Sequence, residues 1–197
     1  MKKLYTAFVF VLICLSFQTK AQQLGIYTNY LLNEYYYNPA IAGTRDVYIA
    51  NLNYRNQWVG FNEAPKTYMA SVYGSWKGNR KHGLGVNISG DKSGLMQRTA
   101  FYLTYAYHIK LTDKLKLGLG ASAGYQQHRI RLYDVRVVDN GDDMLTGNVL
   151  NAGAPDANAG FYLYHDKFWF GVSGYQLLNA KLNFANSESH LTRNYYV

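Results

Sequence analysis

After about residue 46 the chain alternates between apolar residues and polar or small residues with a period of two. In residues 115–125, the odd positions carry Leu, Leu, Leu, Ala, Ala and Tyr, and the even positions carry Lys, Gly, Gly, Ser and Gly. Successive side chains of a β-strand point to opposite faces, so this period predicts strands with one apolar face. An all-β fold is predicted, with seven strands at residues 47–55, 67–76, 82–89, 98–111, 115–129, 158–164 and 168–176.

The lengths of these strands favour a membrane protein. A soluble β-sandwich also buries one face of each sheet and gives the same alternation. Its strands are usually about 5 to 6 residues long, whereas a tilted membrane strand needs about 9 to 11. We therefore expect an antiparallel transmembrane outer-membrane β-barrel. Aromatic residues near the strand ends are expected to form girdles at the two membrane interfaces: Tyr48, Tyr54, Trp58, Tyr68, Trp76, Tyr125, Phe168 and Trp169.

The connections between the predicted strands alternate in length. Those after the second, fourth and sixth strands are short, at residues 77–81, 112–114 and 165–167. Those after the first, third, fifth and seventh strands are longer, and the longest spans residues 130–157. Outer-membrane barrels have short periplasmic turns and longer outer loops. The short turns are therefore predicted to face the periplasm.

Seven strands do not close a barrel of the usual kind, which has an even number of at least eight. The last residues, 194–197, read as the beginning of an eighth strand. An open sheet edge in lipid would leave backbone groups unpaired at a cost of several kcal/mol each. We therefore expect a C-terminally truncated chain with about seven to eight strands of an incomplete barrel. The alternative is that another chain supplies strands.

The first 21 residues have the layout of a secretory signal peptide. Lys2 and Lys3 precede an apolar stretch at residues 4–17, and Thr19-Lys20-Ala21 offers a cleavage site. The apolar stretch is shorter than the roughly 20 residues that a spanning helix needs. The predicted organisation is a signal peptide at 1–21, a periplasmic N-terminal segment at 22–46 and the incomplete barrel at 47–197. The predicted location is the outer membrane of a Gram-negative bacterium.

Removal of the signal peptide leaves a moderately basic chain. The formal net charge falls from +8 to +5 with the loss of Lys2, Lys3 and Lys20, and the only cysteine, Cys14, is lost too. Exported chains rarely meet nucleic acid, so the charge favours outer-membrane lipid or an acidic protein partner. Both interpretations stay open for the basic residues of the short turns: Lys77, Arg80, Lys81, Lys114 and Lys167.

Two motifs flank the first predicted strand. Residues 36–43 read Tyr-Tyr-Asn-Pro-Ala-Ile-Ala-Gly, residues 57–61 read Gln-Trp-Val-Gly-Phe, and residues 64–67 read Ala-Pro-Lys-Thr. Together, at this spacing, they resemble the PorP/SprF family of type IX secretion system outer-membrane proteins, over essentially the whole mature chain. Turn and strand-end chemistry also accounts for these residues. Structural and partner-binding roles therefore both stay open for the motif residues: Asn38, Pro39, Ala40, Gly43, Gln57, Trp58, Gly60, Pro65, Lys66 and Thr67.

The resemblance implies a non-enzymatic component of the type IX secretion and gliding machinery. Members of the family anchor surface proteins such as adhesins or assist their secretion, and some contact a periplasmic peptidoglycan-binding lipoprotein. Members usually continue with further strands beyond the point where this chain stops. The partners that the resemblance implies are therefore that lipoprotein and a secreted surface protein.

Two other functions are considered. A passive porin-like channel is the first, because small residues on the predicted lumen face would leave an open bore. A lipid-modifying outer-membrane enzyme is the second. Its serine and histidine candidates, Ser122 and His128, share the inward face but lie about 20 Å apart along one strand, too far for a catalytic pair. The small lumen residues are Gly83, Gly85, Gly118, Gly120 and Gly124.

No catalytic, cofactor or metal site is predicted. Residues 118–123 match a dinucleotide-binding pattern, but that motif must open a helix, and here it lies within a strand. The acidic stretch at 139–143 lacks the ligand spacing of a calcium-binding loop. The histidines show no zinc-binding spacing, with His82 and His165 expected in short turns and His108 on the lumen face.

Overall fold

A computed structural model describes residues 33–131, 149–184 and 187–197. The predicted signal peptide and the acidic stretch at 139–143 lie outside the described residues. Two 3-10 helices, Glu34–Tyr36 and Pro39–Ile41, precede the strands. The strands are β1 (Ile49–Asn56), β2 (Lys66–Trp76), β3 (Asn79–Ser93), β4 (Met96–Lys110), β5 (Lys116–Arg131), β6 (Val149–Tyr164), β7 (Trp169–Tyr175), β8 (Lys181–Phe184), β9 (Ser187–His190) and β10 (Asn194–Tyr196).

Eight of these strands form one antiparallel sheet in the order β1-β2-β3-β4-β5-β6-β7-β10. Each strand from β1 to β7 corresponds to a predicted strand, and β10 pairs with β7 where the beginning of an eighth strand was predicted. The all-β antiparallel prediction is therefore confirmed. Within the described ranges the sheet is not closed, with β1 and β10 at its edges, and no helix there is long and apolar enough to cross a membrane.

Burial along the strands follows the predicted alternation. In β4, Tyr102 and Thr104 are buried while Leu103 and Tyr105 are exposed. All eight aromatic residues predicted near the strand ends are exposed as well. An apolar outer face with aromatic residues toward its two ends is the pattern of strands that cross a membrane. Between these ends the outward face carries Leu52, Val72, Val86, Ile88, Leu103, Leu119, Phe161 and Phe170.

The predicted difference between the two ends of the sheet is confirmed for the connections that the structure describes, with one exception. Turns at residues 77–78, 111–115 and 165–168 lie at one end, which we call the short-turn end. The loop 57–65 and the segment between β7 and β10 lie at the opposite end, where β5 also ends and β6 begins, and we call it the long-loop end. Residues 132–148 lie outside the described residues. The prediction of a longer third connection is wrong, because β3 and β4 pair as far as Ser93 and Met96 and leave a tight turn at 94–95.

Two further boundaries differ from the prediction. β3 begins at Asn79 rather than at residue 82, so His82, which pairs with Tyr107 of β4, lies within the strand and not in the short turn. β6 begins at Val149 rather than at residue 158. Its additional residues pair with β5 as far as Arg131, so β6 projects beyond β7, which pairs with it only from Ala159 onward.

The inward face of the sheet is covered by two other parts of the chain. Residues 33–43, which we call the plug, lie against it toward the short-turn end, and Tyr35, Ala40, Ile41 and Ala42 form a buried cluster with residues of the strands. The hairpin of β8 and β9 lies against β6 toward the long-loop end, where Leu182 is buried. These two elements together form the core of the protein.

Candidate functional site

The plug contacts the inward face of strands from β2 to β7. At its start, the Asn33 side-chain amide donates to Met69 Sδ of β2 at 2.9 Å. Its middle reaches β7, where the hydroxyl of Ser173 donates to the Tyr37 carbonyl. Its last part reaches β4, where His108 Nε2 lies 2.7 Å from the Ala42 carbonyl oxygen. Eleven residues therefore connect strands that are far apart along the chain.

Asn38 and Pro39 explain why the plug turns at this point. The Asn38 side-chain oxygen accepts from the backbone N–H of Ala40 at 3.0 Å, which caps the second 3-10 helix. Pro39 occupies the first helical position, where its missing N–H leaves no bond unmade. The Asn38 amide nitrogen also donates to the Phe161 carbonyl of β6 at 2.9 Å. One buried side chain thus sets the local turn and attaches it to the sheet.

Tyr35 attaches the beginning of the plug to β2 and β4 directly and to β5 through Thr104. Its ring stacks on Tyr73 of β2 with the centroids 4.4 Å apart. Its hydroxyl donates to Thr104 Oγ1 of β4 at 2.7 Å, and that oxygen lies 2.9 Å from Ser122 Oγ of β5. Ser122, the serine considered for a lipid-modifying enzyme, therefore belongs to a buried structural hydrogen-bond chain.

Glycines on β3 and β5 allow the plug backbone to approach the sheet closely. A Cβ at Gly118 would lie 2.8 Å from the Ala40 carbonyl oxygen, and one at Gly120 would overlap the Pro39–Ala40 peptide. A Cβ at Gly83 would overlap the Ala42 carbonyl. Glycine in a strand commonly marks such an approach of another backbone. The expectation that these glycines leave an open bore is therefore wrong, since the plug occupies the space above them.

A network of buried polar side chains lies nearer the long-loop end. The Tyr102 hydroxyl donates to Asp156 Oδ2 at 2.7 Å, and the Gln126 amide nitrogen donates to the same oxygen at 2.9 Å. The Asn194 amide donates to Gln176 Oε1 at 2.8 Å. Hydrogen bonds between buried polar groups fix the register of the elements that carry them, although the second oxygen of this carboxylate, Asp156 Oδ1, has no hydrogen-bond partner. The network therefore connects β4 with β5 and β6, and it holds β10 against the segment after β7.

The second family motif lies in the loop that joins β1 to β2, at the long-loop end. Gln57 donates its backbone N–H to the Pro65 carbonyl at 3.0 Å, which closes the loop. Trp58 is 73% exposed, and Gly60 has a φ of 103° that favours glycine. Thr67, which is buried at the start of β2, donates its hydroxyl to Asp91 Oδ1 of β3 at 2.6 Å.

Glu63 fixes the position of this loop over the neighbouring strands. Its carboxylate lies 3.2 Å from Lys92 Nζ at the end of β3 and 2.7 Å from Arg131 Nη2 at the end of β5. Its backbone carbonyl accepts from the N–H of Gly94 in the tight turn at 94–95. The hydrogen bond from Lys92 and the charge of Arg131 lower the pKa of the Glu63 carboxyl.

We expect acid to loosen this loop. Because the folded-state pKa of Glu63 lies below its ordinary value of 4.5, the stabilisation is present above that value and is lost as the pH falls through the folded-state pKa. A fluorophore attached at Asn62→Cys should therefore lose anisotropy when the pH is lowered from about 7 to about 2, because the loss occurs below the ordinary carboxyl pKa.

Two variants control this experiment. Glu63→Gln should give low anisotropy throughout the range, because the amide cannot hold the two cations by charge. Asp113→Asn, which changes an exposed carboxylate in a short turn, should leave the wild-type pH dependence unchanged. An anisotropy that falls equally in the wild type and in Glu63→Gln would contradict a role for this carboxylate.

The structure separates the two groups of motif residues. Asn38, Pro39 and Ala40 are buried within the plug, and Gly43, with a φ of 87°, ends the plug against Gly83. The second group lies at the long-loop end, in the loop after β1 and the first residues of β2: Gln57, Trp58, Gly60, Pro65, Lys66 and Thr67.

Sequence reasoning missed the plug and the β8–β9 hairpin. The inward glycines were the signal for the plug, since a row of them opposite a segment of small residues indicates close backbone packing. His108 does lie on the inward face as predicted, and it is buried. Among the described residues, no three side chains of His, Cys, Asp or Glu come together as a metal site.

These features define a class of protein: an antiparallel, membrane-type β-sheet whose inward face is filled by the chain's own N-terminal segment. The family model described as type IX secretion system membrane protein PorP/SprF matches residues 19–197, and the chain belongs to this family. The resemblance that the motifs indicated is thereby confirmed. Comparison with curated proteins gave no match, and comparison with solved structures gave none either.

Proposed function

We propose that this chain is an outer-membrane barrel protein that anchors secreted surface proteins such as adhesins or assists their secretion. Membership of the family supports a place in the type IX secretion machinery. The observation that carries the proposal is the filled interior. Because the plug and the β8–β9 hairpin cover the inward face, the surfaces left for function are the loops and turns at the two ends.

The two ends suit different partners. We propose that the short-turn end faces the periplasm, where a peptidoglycan-binding lipoprotein contacts it. The long-loop end then faces outward and meets the secreted surface protein. The loop after β1 fits that role, since ion pairs of Glu63 hold it in place while Trp58, Val59 and Phe61 are each more than 70% exposed. Exposed apolar side chains on a fixed loop are typical of protein contact sites.

Co-purification from native membranes tests this proposal. The full chain with an affinity tag would be extracted in a mild detergent, and the proteins that accompany it identified by mass. We expect a periplasmic peptidoglycan-binding lipoprotein and a secreted surface protein, both absent when an unrelated barrel of the same membrane carries the tag. Recovery of neither would overturn the proposal.

Solute permeation distinguishes the passive-channel alternative. Liposomes that contain the purified chain should swell no faster in a sugar solution than liposomes without protein, because the plug lies against Gly83, Gly118 and Gly120. A well-characterised porin in the same liposomes provides the positive control. Swelling at the porin's rate would favour the channel function over anchoring.

A further inference from the structure

A basic pocket opens at the short-turn end of the sheet. Its volume is about 350 Å³, within the range of about 300 to 1,000 Å³ that is typical of ligand pockets. Four cationic side chains and a single carboxylate line it, together with His108 at its inner end. The charged residues are Arg80, Lys81, Lys110, Lys116 and Asp46. With four positive charges and one negative charge, the lining has a formal charge of +3.

The plug closes the inner end of this pocket. His108 is 5% exposed, with Nε2 at 2.7 Å from the Ala42 carbonyl oxygen and Nδ1 at 3.2 Å from the Tyr164 hydroxyl. Gly43 lies so close to Gly83 that a Cβ on Gly43 would be 2.6 Å from the Gly83 Cα. A group that enters from the short-turn end therefore stops at His108. The pocket is closed at its inner end, so it can hold a ligand but cannot serve as a channel.

The register of β4 and β5 places two of the cations side by side. Lys110 and Lys116 are direct partners across the two strands, and like charges in that position destabilise a sheet. Asp46 does not offset them, because it forms its ion pair with Arg80 at 2.5 Å. Lys116 is held in place by the ring of Tyr164, whose centroid lies 5.9 Å from its Nζ. An anion between the two ammonium groups would remove their repulsion.

The alternation of the strands indicates from which side such an anion comes. Lys110 follows buried Ala106 and His108 on the inward positions of β4, and Lys116 precedes Gly118 and Gly120 on the inward positions of β5. The adjacent outward position, Ile109, is apolar and exposed. Lipid head groups surround the outer face of a membrane sheet, whereas these lysines line the interior. An anion that reaches them comes from the aqueous compartment.

We propose that this pocket binds the carboxylates of an acidic segment of a partner protein. Two neighbouring ammonium groups, in a lining whose formal charge is +3, match a run of Asp or Glu side chains. A flexible acidic segment can reach this pocket from the aqueous side, whereas a lipid stays in the plane of the bilayer. The proposal relies on the proposed function only for the identity of the partner, since carboxylate binding is measurable on the purified chain.

Binding of a fluorescent peptide of ten glutamates to the full chain in detergent micelles tests this proposal by polarisation. The same peptide with glutamine at every position serves as the uncharged control. We expect the glutamate peptide to bind, and Lys110→Gln with Lys116→Gln to weaken binding about tenfold, as the loss of two charge contacts in a partly enclosed site implies. The matched variant, Lys114→Gln with Lys167→Gln, removes the same charge from turns outside the pocket and should bind as the wild type.

Three results would overturn the proposal: no binding of the glutamate peptide, equal weakening in both double variants, or tight binding of the glutamine peptide. A further measurement uses vesicles of anionic phospholipid. If the pocket variant lost vesicle binding but kept peptide binding, the pocket would be a lipid site instead. The thermal unfolding midpoint of each variant checks folding. If no partner co-purified but the purified chain still bound the glutamate peptide, the proposed function would be contradicted and the assignment of the pocket would stand.

Discussion

Gly120→Val should force the plug away from β5 and lower the free energy of unfolding by about 1 to 3 kcal/mol, the usual cost of overpacking. A Cβ at this position would overlap the Pro39–Ala40 peptide. The atoms that the new Cβ would meet belong to the backbone and not to the flexible end of a side chain, so they can move only if the whole plug moves. The plug and the strand therefore cannot both keep their positions.

Cysteine labelling measures this displacement directly. Once residues 1–21 are removed the chain has no cysteine, so Ala40→Cys provides a single thiol at a position that is 0% exposed. A maleimide should label it slowly in the wild-type background and rapidly with Gly120→Val. Ala121→Val, which places the same side chain on the exposed outward face of β5, should change neither the labelling rate nor the denaturation midpoint.

A double-mutant cycle shows whether the plug is the cause. In a chain without residues 33–43, Gly120→Val should cost much less than in the intact chain, because the groups that it overlaps are gone. Slow labelling at residue 40 in the Gly120→Val chain, or an equal cost with and without the plug, would contradict the close contact.

Asn38→Ala should lower the free energy of unfolding by about 2 to 3 kcal/mol. Loss of the cap to the Ala40 N–H contributes about 1 kcal/mol, and the buried Phe161 carbonyl left without its donor contributes a similar or larger amount. Denaturant unfolding in micelles, followed by tryptophan fluorescence, measures the change. Asn56→Ala, which alters an exposed asparagine at the end of β1, should stay within about 0.5 kcal/mol of the wild type.

Asn38→Asp separates the two roles of this side chain. The carboxylate can still accept from the Ala40 N–H, but it cannot donate to Phe161 and brings an uncompensated charge to a buried position. We therefore expect it to destabilise the fold at least as much as alanine does. If aspartate restored the wild-type stability, the cap alone would matter and the bond to β6 would not.

The face of each strand could be predicted because it depends on adjacent residues alone. In β5 the inward positions hold Gly118, Gly120 and Ser122, and apolar residues alternate with them. This alternation is required because one face of the strand meets lipid and the other meets the packed chain. The extent of β6 could not be predicted in the same way. Residues 150–157 contain Gly153 and Pro155, which usually indicate a loop. Proline is tolerated on an unpaired strand edge, and β7 pairs with β6 only from Ala159 onward.

The position of the plug could not be read from its own sequence, because its folding depends on distant partners. Asn38 and Pro39 predicted a turn, which is correct, but nothing near them in the chain specifies Phe161 or Gly120 as neighbours. The second motif was partly predictable. Pro65 lies just before the first residue of β2, where proline is tolerated. The ion pairs of Glu63 with Lys92 and Arg131 could not be predicted, because they depend on how β3 and β5 are paired in the sheet.

The plug also constrains the order in which the protein folds. Asn38 bonds to a residue 123 positions later in the chain, and the Tyr36 carbonyl accepts from the hydroxyl of Tyr175, 139 positions later. Contacts of such long sequence separation form late, because the intervening chain must first be ordered. The segment that leaves the ribosome before any strand is therefore among the last to reach its place. The plug can therefore bind in its final position only after the sheet has formed as far as β7.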